Sequence, residues 1–231
     1  ADRSNPRADS APLPMNAPAR RKAKSDMRYS IDPEKLLDVT MPLSNTTPAW
    51  PGDTRFRREA REEAGFRTSR IVMSSHSGTH MDAPAHLCRC SAAIDGITPS
   101  RLILPALVLD CTERRAVEPG LLAGLELEGR ALLLKTARGQ GHADIREYGH
   151  LAAGTARAAV EKGICLVGID SLSVDPPGSD ASHGTLLEAG VPVVENLVLR
   201  DIPPGEYLLL CFPLRIQSGD GSPARAFLHP L

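Results

Sequence analysis

The stretch His76-Ser77-Gly78-Thr79-His80-Met81-Asp82-Ala83-Pro84-Ala85-His86 packs three of the chain's seven histidines and one aspartate into eleven residues. Imidazole and carboxylate together suit Zn²⁺, Mn²⁺ and Fe²⁺. The intervals constrain the shape. His76 and His80 are four apart, as are Asp82 and His86. On a helix, at about 100° per residue, those two pairs point to nearly opposite sides, and Gly78 and Pro84 disfavour a helix interior. On a strand all four share a face, because every gap is even. A straight strand, however, sets His76 and His80 about 13 Å apart at roughly 3.3 Å per residue. One ion with bonds of about 2 Å does not span that. The segment is therefore expected to leave a strand and curl at Gly78, then bend again at Pro84, so that the four side chains converge on a metal. The competing reading, polar residues on an exposed strand or loop, leaves the Gly and Pro breaks unexplained.

Working outward, Arg70–Ser75 reads as a strand leading into this segment, and Leu37–Thr40 as a short strand before it. Pro42, Pro48, Pro51 and Gly52 punctuate the loop that carries Trp50, the only tryptophan. Apolar runs at Leu102–Asp110, Ala131–Thr136, Ile164–Ile169 and Tyr207–Phe212 have the length of buried strands. Ala152–Lys162 reads as a helix stopped by Gly163, and Thr185–Ala189 as a shorter one stopped by Gly190. The pattern predicts an α/β fold. A second candidate pair lies in the later half: His183, after a Pro-rich loop, and Glu195, directly after the apolar run Val191–Val194. A carboxylate following a buried strand is costly unless it is paired or ligates a metal.

The chain has 231 residues, 42% of them hydrophobic, which supports one domain with a sizeable core. Residues 1–27, rich in Ala, Pro, Arg and Ser, read as a disordered tail, and residues 28–231 as the folded domain. A formal net charge of −1 and 3% aromatic residues argue against a nucleic-acid partner. No apolar run approaches the roughly 18 residues of a membrane span. Of five cysteines, Cys111, Cys165 and Cys211 fall in apolar stretches, so a disulfide framework is not expected and a cytoplasmic location fits. Cys88 and Cys90 form a C-x-C pair that could supply soft zinc ligands, with ordinary thiols the favoured reading.

The pattern H-x-G-T-H-x-D-x-P-x-H over His76–His86 resembles the motif of the cyclase family of metal-dependent hydrolases, which includes bacterial kynurenine formamidases and isatin hydrolases. Trp50-Pro51-Gly52-Asp53, Val167–Pro176, Gly190–Leu197 and the end of the chain from Phe212 to Ala226 are similar to further family stretches in the same order. The resemblance implies a swivelling β/β/α fold with a mixed sheet, in a homodimer or tetramer. It also implies a role for each site residue. His76 and His80 would bind a first metal, Asp82 and Glu195 would bridge two metals, and His183 would bind the second. His86 would act as proton donor and acceptor, and Trp50 would contact the substrate. Ala137-Arg138, Leu87 and Cys88-Arg89-Cys90 depart from the usual family residues.

A divalent metal, two Zn ions or Mn, lowers the pKa of bound water from about 15.7 to about 7. The expected activity is hydrolysis of an aryl amide by metal-bound hydroxide, as with N-formylkynurenine in tryptophan catabolism. Ring opening of isatin-like lactams or a biosynthetic reaction of the same family is the alternative. A non-catalytic zinc-binding protein is the reading from another class. The Ser74, Ser75 and Ser77 hydroxyls lack a G-x-S-x-G elbow, which argues against a serine nucleophile.

Overall fold

The computed structural model describes residues 29–87, 92–136 and 148–231. The expected tail, the Cys88/Cys90 pair and the Ala137-Arg138 departure lie outside the described residues. The strands are β1 (Leu37–Asp38), β2 (Arg57–Glu63), β3 (Phe66–Val72), β4 (His80–Asp82), β5 (Ile103–Cys111) and β6 (Ala116–Val117). They continue with β7 (Ala131–Thr136), β8 (His150–Leu151), β9 (Leu166–Ile169), β10 (Val193–Glu195), β11 (Gly205–Pro213) and β12 (Gly221–Pro230). Helices are α1 (Pro99–Leu102), α2 (Ala153–Glu161) and α3 (Ala181–Glu188).

The main sheet runs β1-β12-β11-β5-β7-β9-β10-β4, and β4 pairs again with β12. With β1 set aside, the order returns on itself and seven strands close a barrel-like ring. The sheet is mixed, as expected: β5, β7, β9 and β10 run parallel, while β4, β11 and β12 join antiparallel. Alternation sorts its side chains into two cores. Leu133, Leu166 and Val194 pack with β5, β11 and β12 on one face. Leu132, Val167, Ile169 and Val193 face α2 and α3 on the other. Cys111, Cys165 and Cys211 are buried and free, the small hydrophobes expected of them.

The apolar runs became β5, β7, β9 and β11 with shifts of one or two residues at most ends. Two departures have local causes. The charged run RREAREE forms β2, paired along its length with β3 through an Ala64-Gly65 turn at φ 52° and 80°. Positive φ at both turn residues matches the right-handed twist of a hairpin. Helix α3 begins four residues before the expected Thr185. The Asp175 carboxylate accepts the Ser182 and His183 amides at 2.6 and 2.9 Å, satisfying first-turn donors from the preceding loop.

The two bends expected in the histidine segment are both present. Gly78 has φ 62°, and Pro84–His86 forms a 3₁₀ turn. A methyl group on Gly78 would also stand 2.7 Å from Leu43 Cδ2. Gly78→Ala is expected to cost about 1–2 kcal/mol from the left-handed backbone alone, read as a lowered midpoint in thermal denaturation; a variant that melts with the wild type would show that the bend does not need glycine. A second prediction concerns Asp170, which follows β9. Its carboxylate accepts from the Thr136 amide at 2.9 and 3.0 Å and from Thr136 Oγ1 at 2.7 Å. Burial raises its pKa from 3.8 to about 6 against the lowering effect of these bonds. The folded state therefore holds this proton more tightly than the unfolded chain. The resulting stability is complete below about 3.8 and is lost as pH rises through about 6. Relative to Asp170→Asn, the wild type should lose on the order of 1–3 kcal/mol between these limits in urea unfolding; parallel pH profiles would contradict it.

Candidate metal centre

His80 and Asp82 are the two ends of β4, so strand alternation sends both side chains to one side while Met81 enters the core. β10 lies antiparallel beside them, and its register sets Glu195 opposite His80. His183 stands in the first turn of α3 and His76 in the turn before Gly78. Barrel closure and the two bends thus bring five ligand-type side chains from three segments into one cluster.

Asp82 is its centre. One carboxylate oxygen lies 2.7 Å from His76 Nδ1 and 3.3 Å from His80 Nε2; the other lies 3.3 Å from His183 Nε2. Glu195 lies 3.2 Å from His183 Nε2 through one oxygen and 3.6 Å from His80 Nε2 through the other. Its first oxygen also accepts the Val174 amide at 2.7 Å. The second nitrogen of each ring is held from outside. His80 Nδ1–H donates to the Gly78 carbonyl at 2.8 Å, His183 Nδ1–H to Asp175 at 2.8 Å, and His76 Nε2–H to Asp220 at 2.9 Å. Three rings fastened by one nitrogen, with the other aimed at shared carboxylates, match the outer-sphere pattern of metal-binding histidines.

The charge balance makes the same point. Asp82 is 1% exposed, and no Lys or Arg is among the described residues lining the cleft. Burial would raise the Asp82 pKa, but the surrounding imidazoles, His80 foremost, hold it well below the carboxylate range. Burial would likewise lower His76, yet Asp82 and Asp220 lift it to about 9. Despite burial, Asp82 and Glu195 raise His80, and Glu195, Asp175 and Asp82 raise His183. A site that gathers protons against the cost of burial is one that takes a cation. Two donor groups share Asp82, one of His76, His80 and Asp82 and one of Asp82, His183 and Glu195; a third, more exposed group is His76, His86 and Asp220. The residues fit a divalent metal.

His86 sits at the rim, its ring centroid 4.2 Å from that of His76 and 6.0 Å from that of His183. Burial lowers its pKa, only partly offset by Asp82. Trp50, 41% exposed, lines the cleft of about 280 Å³ with Pro48, Leu87 and Leu172. All seven expected site residues therefore line one cavity. Asp175 and Asp220 were not legible as site residues in the sequence, where each sits within a longer loop-like stretch. His150 and His229 stand apart from the cluster, the former hydrogen-bonded with the Tyr148 carbonyl and the latter accepting the Asp32 amide.

The chain matches the family model described as "Putative cyclase" over residues 37–176. It is 34% identical over 203 residues to the kynurenine formamidase of Bacillus cereus (strain ATCC 14579), covering 84% of this chain and 97% of that protein. It is 35% identical over 205 residues to the kynurenine formamidase of Polaromonas naphthalenivorans (strain CJ2), covering 85% and 92%. The solved structure of a "predicted metal-dependent hydrolase" from Bacillus stearothermophilus superposes with a TM-score of 0.75 at 32% identity, over 84% of this chain and 97% of that one. Isatin hydrolase A of Labrenzia aggregata shares the fold at a TM-score of 0.76 and 23% identity, over 84% and 93%. With the motif, the sheet and the relatives in agreement, the chain belongs to the cyclase family of metal-dependent hydrolases.

Proposed function

We propose that the chain hydrolyses an aryl formamide such as N-formylkynurenine at a centre of two divalent ions, with zinc the favoured metal. The observation that carries this is the convergence of the inner nitrogens of His76, His80 and His183 on Asp82 and Glu195. The 34% identity to a kynurenine formamidase supports the substrate class. His76, His80 and Asp82 would hold the first ion, His183 the second, and Asp82 and Glu195 would bridge them. Bound there, the metal would act as a Lewis acid that makes water a nucleophile near neutral pH.

The remaining work falls to the protein. Trp50, Leu87 and Leu172 supply an apolar wall for an aromatic ring, and the cleft admits only a small molecule. His86, whose lowered pKa keeps the imidazole neutral near pH 7, takes the proton released by the attacking water. It then returns that proton to the departing aryl amine, which leaves more readily than an alkyl amine. Asp175 keeps His183 in the tautomer that presents Nε2 inward.

His86→Ala is expected to keep its metal and lose on the order of 10²–10⁴ in kcat, whereas Asp82→Ala loses metal and activity together. Metal content by mass spectrometry alongside turnover of N-formylkynurenine and isatin tests both roles. Metal and activity surviving Asp82→Ala would sink the bridging role, and preference for isatin would replace the substrate assignment with lactam opening.

We also propose a homodimer in the cytoplasm. Both strands of the β2–β3 hairpin are exposed along nearly their whole length, and Phe66 and Ile71 are 74% and 53% exposed. A lone two-stranded hairpin is marginal in water, so a second copy covering it accounts for its regularity. Sedimentation should give twice the chain mass, falling to one on deletion of the hairpin; a wild-type monomer would rule the dimer out. Among the described residues no helix is long and apolar enough to cross a membrane.

A further inference from the structure

Asp220 directly precedes Gly221, the first residue of β12, where the barrel closes against β4. The Asp220 carbonyl accepts the Ala83 amide at 2.9 Å, which fixes this corner next to Asp82. The Asp220 carboxylate reaches back to the histidine segment. One oxygen accepts the Ser75 hydroxyl at 3.1 Å. The other lies 2.9 Å from His76 Nε2 and 3.6 Å from His86 Nδ1. Gly221 forms the floor beneath the same ring: a Cβ there would stand 2.8 Å from His76 Cε1. The His76 ring is thus gripped by a carboxylate on one edge and a bare backbone on its side.

We infer that Asp220 and Gly221 act together as a positioning element for His76, holding Nε2–H outward so that Nδ1 is the nitrogen presented to the metal. Asp220 is 48% exposed and contacts Nε2, while Asp82 lies 2.7 Å from Nδ1 on the other edge of the ring. The corresponding outer partners of His80 and His183 are Gly78 and Asp175, both fixed by chain next to the ligands. His76 alone depends on a residue 144 positions away. Metal loading at His76 therefore depends on the barrel having closed. The inference rests on the metal-centre reading proposed above.

The test uses the full chain stripped of metal and titrated with Zn²⁺ alone against a chromophoric chelator. Asp220→Ala should weaken the tightest Zn²⁺ site by 10–100-fold, the range for loss of an outer-sphere partner. Asp220→Asn, which keeps an acceptor oxygen, should recover part of the loss. Gly221→Ala should weaken the same site by displacing the ring, while the metal-free melting temperature of Asp220→Ala stays that of the wild type. In nitrogen-15 spectra of the zinc-loaded protein, His76 should carry its proton on Nε2. Asp220→Ala binding Zn²⁺ as tightly as the wild type, or a His76 protonated on Nδ1 in the loaded protein, would overturn the inference while leaving the metal centre standing. A wild type that takes up no Zn²⁺ would overturn both.

Discussion

Asp82 carries a negative charge that water cannot reach, and no Lys or Arg is among the described residues lining its cleft. An isolated carboxylate in such a place costs several kcal/mol, so the surroundings must supply positive charge. Three imidazoles do so, each tied down by an outer acceptor. That arrangement explains features which have no role in packing: the left-handed bend at Gly78, the early start of α3 and the carboxylate of Asp175 turned toward a helix terminus.

The barrel is the means of assembly. β4 is only three residues long, yet it pairs with β10 on one side and β12 on the other. Those two pairings deliver Glu195 from one neighbour and Asp220 from the other. The ring closes at the strand that carries His80 and Asp82, so the seam of the fold and the centre of the site coincide. A parallel block of β5, β7, β9 and β10 backed by α2 and α3 supplies the rigid wall against which this seam forms.

Much of this was legible in the sequence, for reasons that can be named. The even spacing of His76, His80 and Asp82, broken by glycine, required a curl that the chain makes. Continuous apolar runs identified β5, β7, β9 and β11 because these strands are buried. β2 was not legible: Arg, Glu and Ala in RREAREE have no apolar alternation, because the strand has no buried face. β12 escaped because its polar and small residues, Ser222, Ala224 and Ala226, are buried by closure and not by hydrophobicity. Asp220 and Asp175 escaped for a related reason. Their partners are remote or appear only once the backbone has turned, and a lone aspartate beside glycine or proline looks like any loop residue.

The cleft has one further property. Its rim holds the only indole in the chain, half open to solvent and close to the histidine cluster. Fluorescence excited selectively in that ring originates at a single point, with no second emitter elsewhere to dilute it. The intact protein therefore contains its own optical reporter of whatever enters the cavity, with no need for an attached dye.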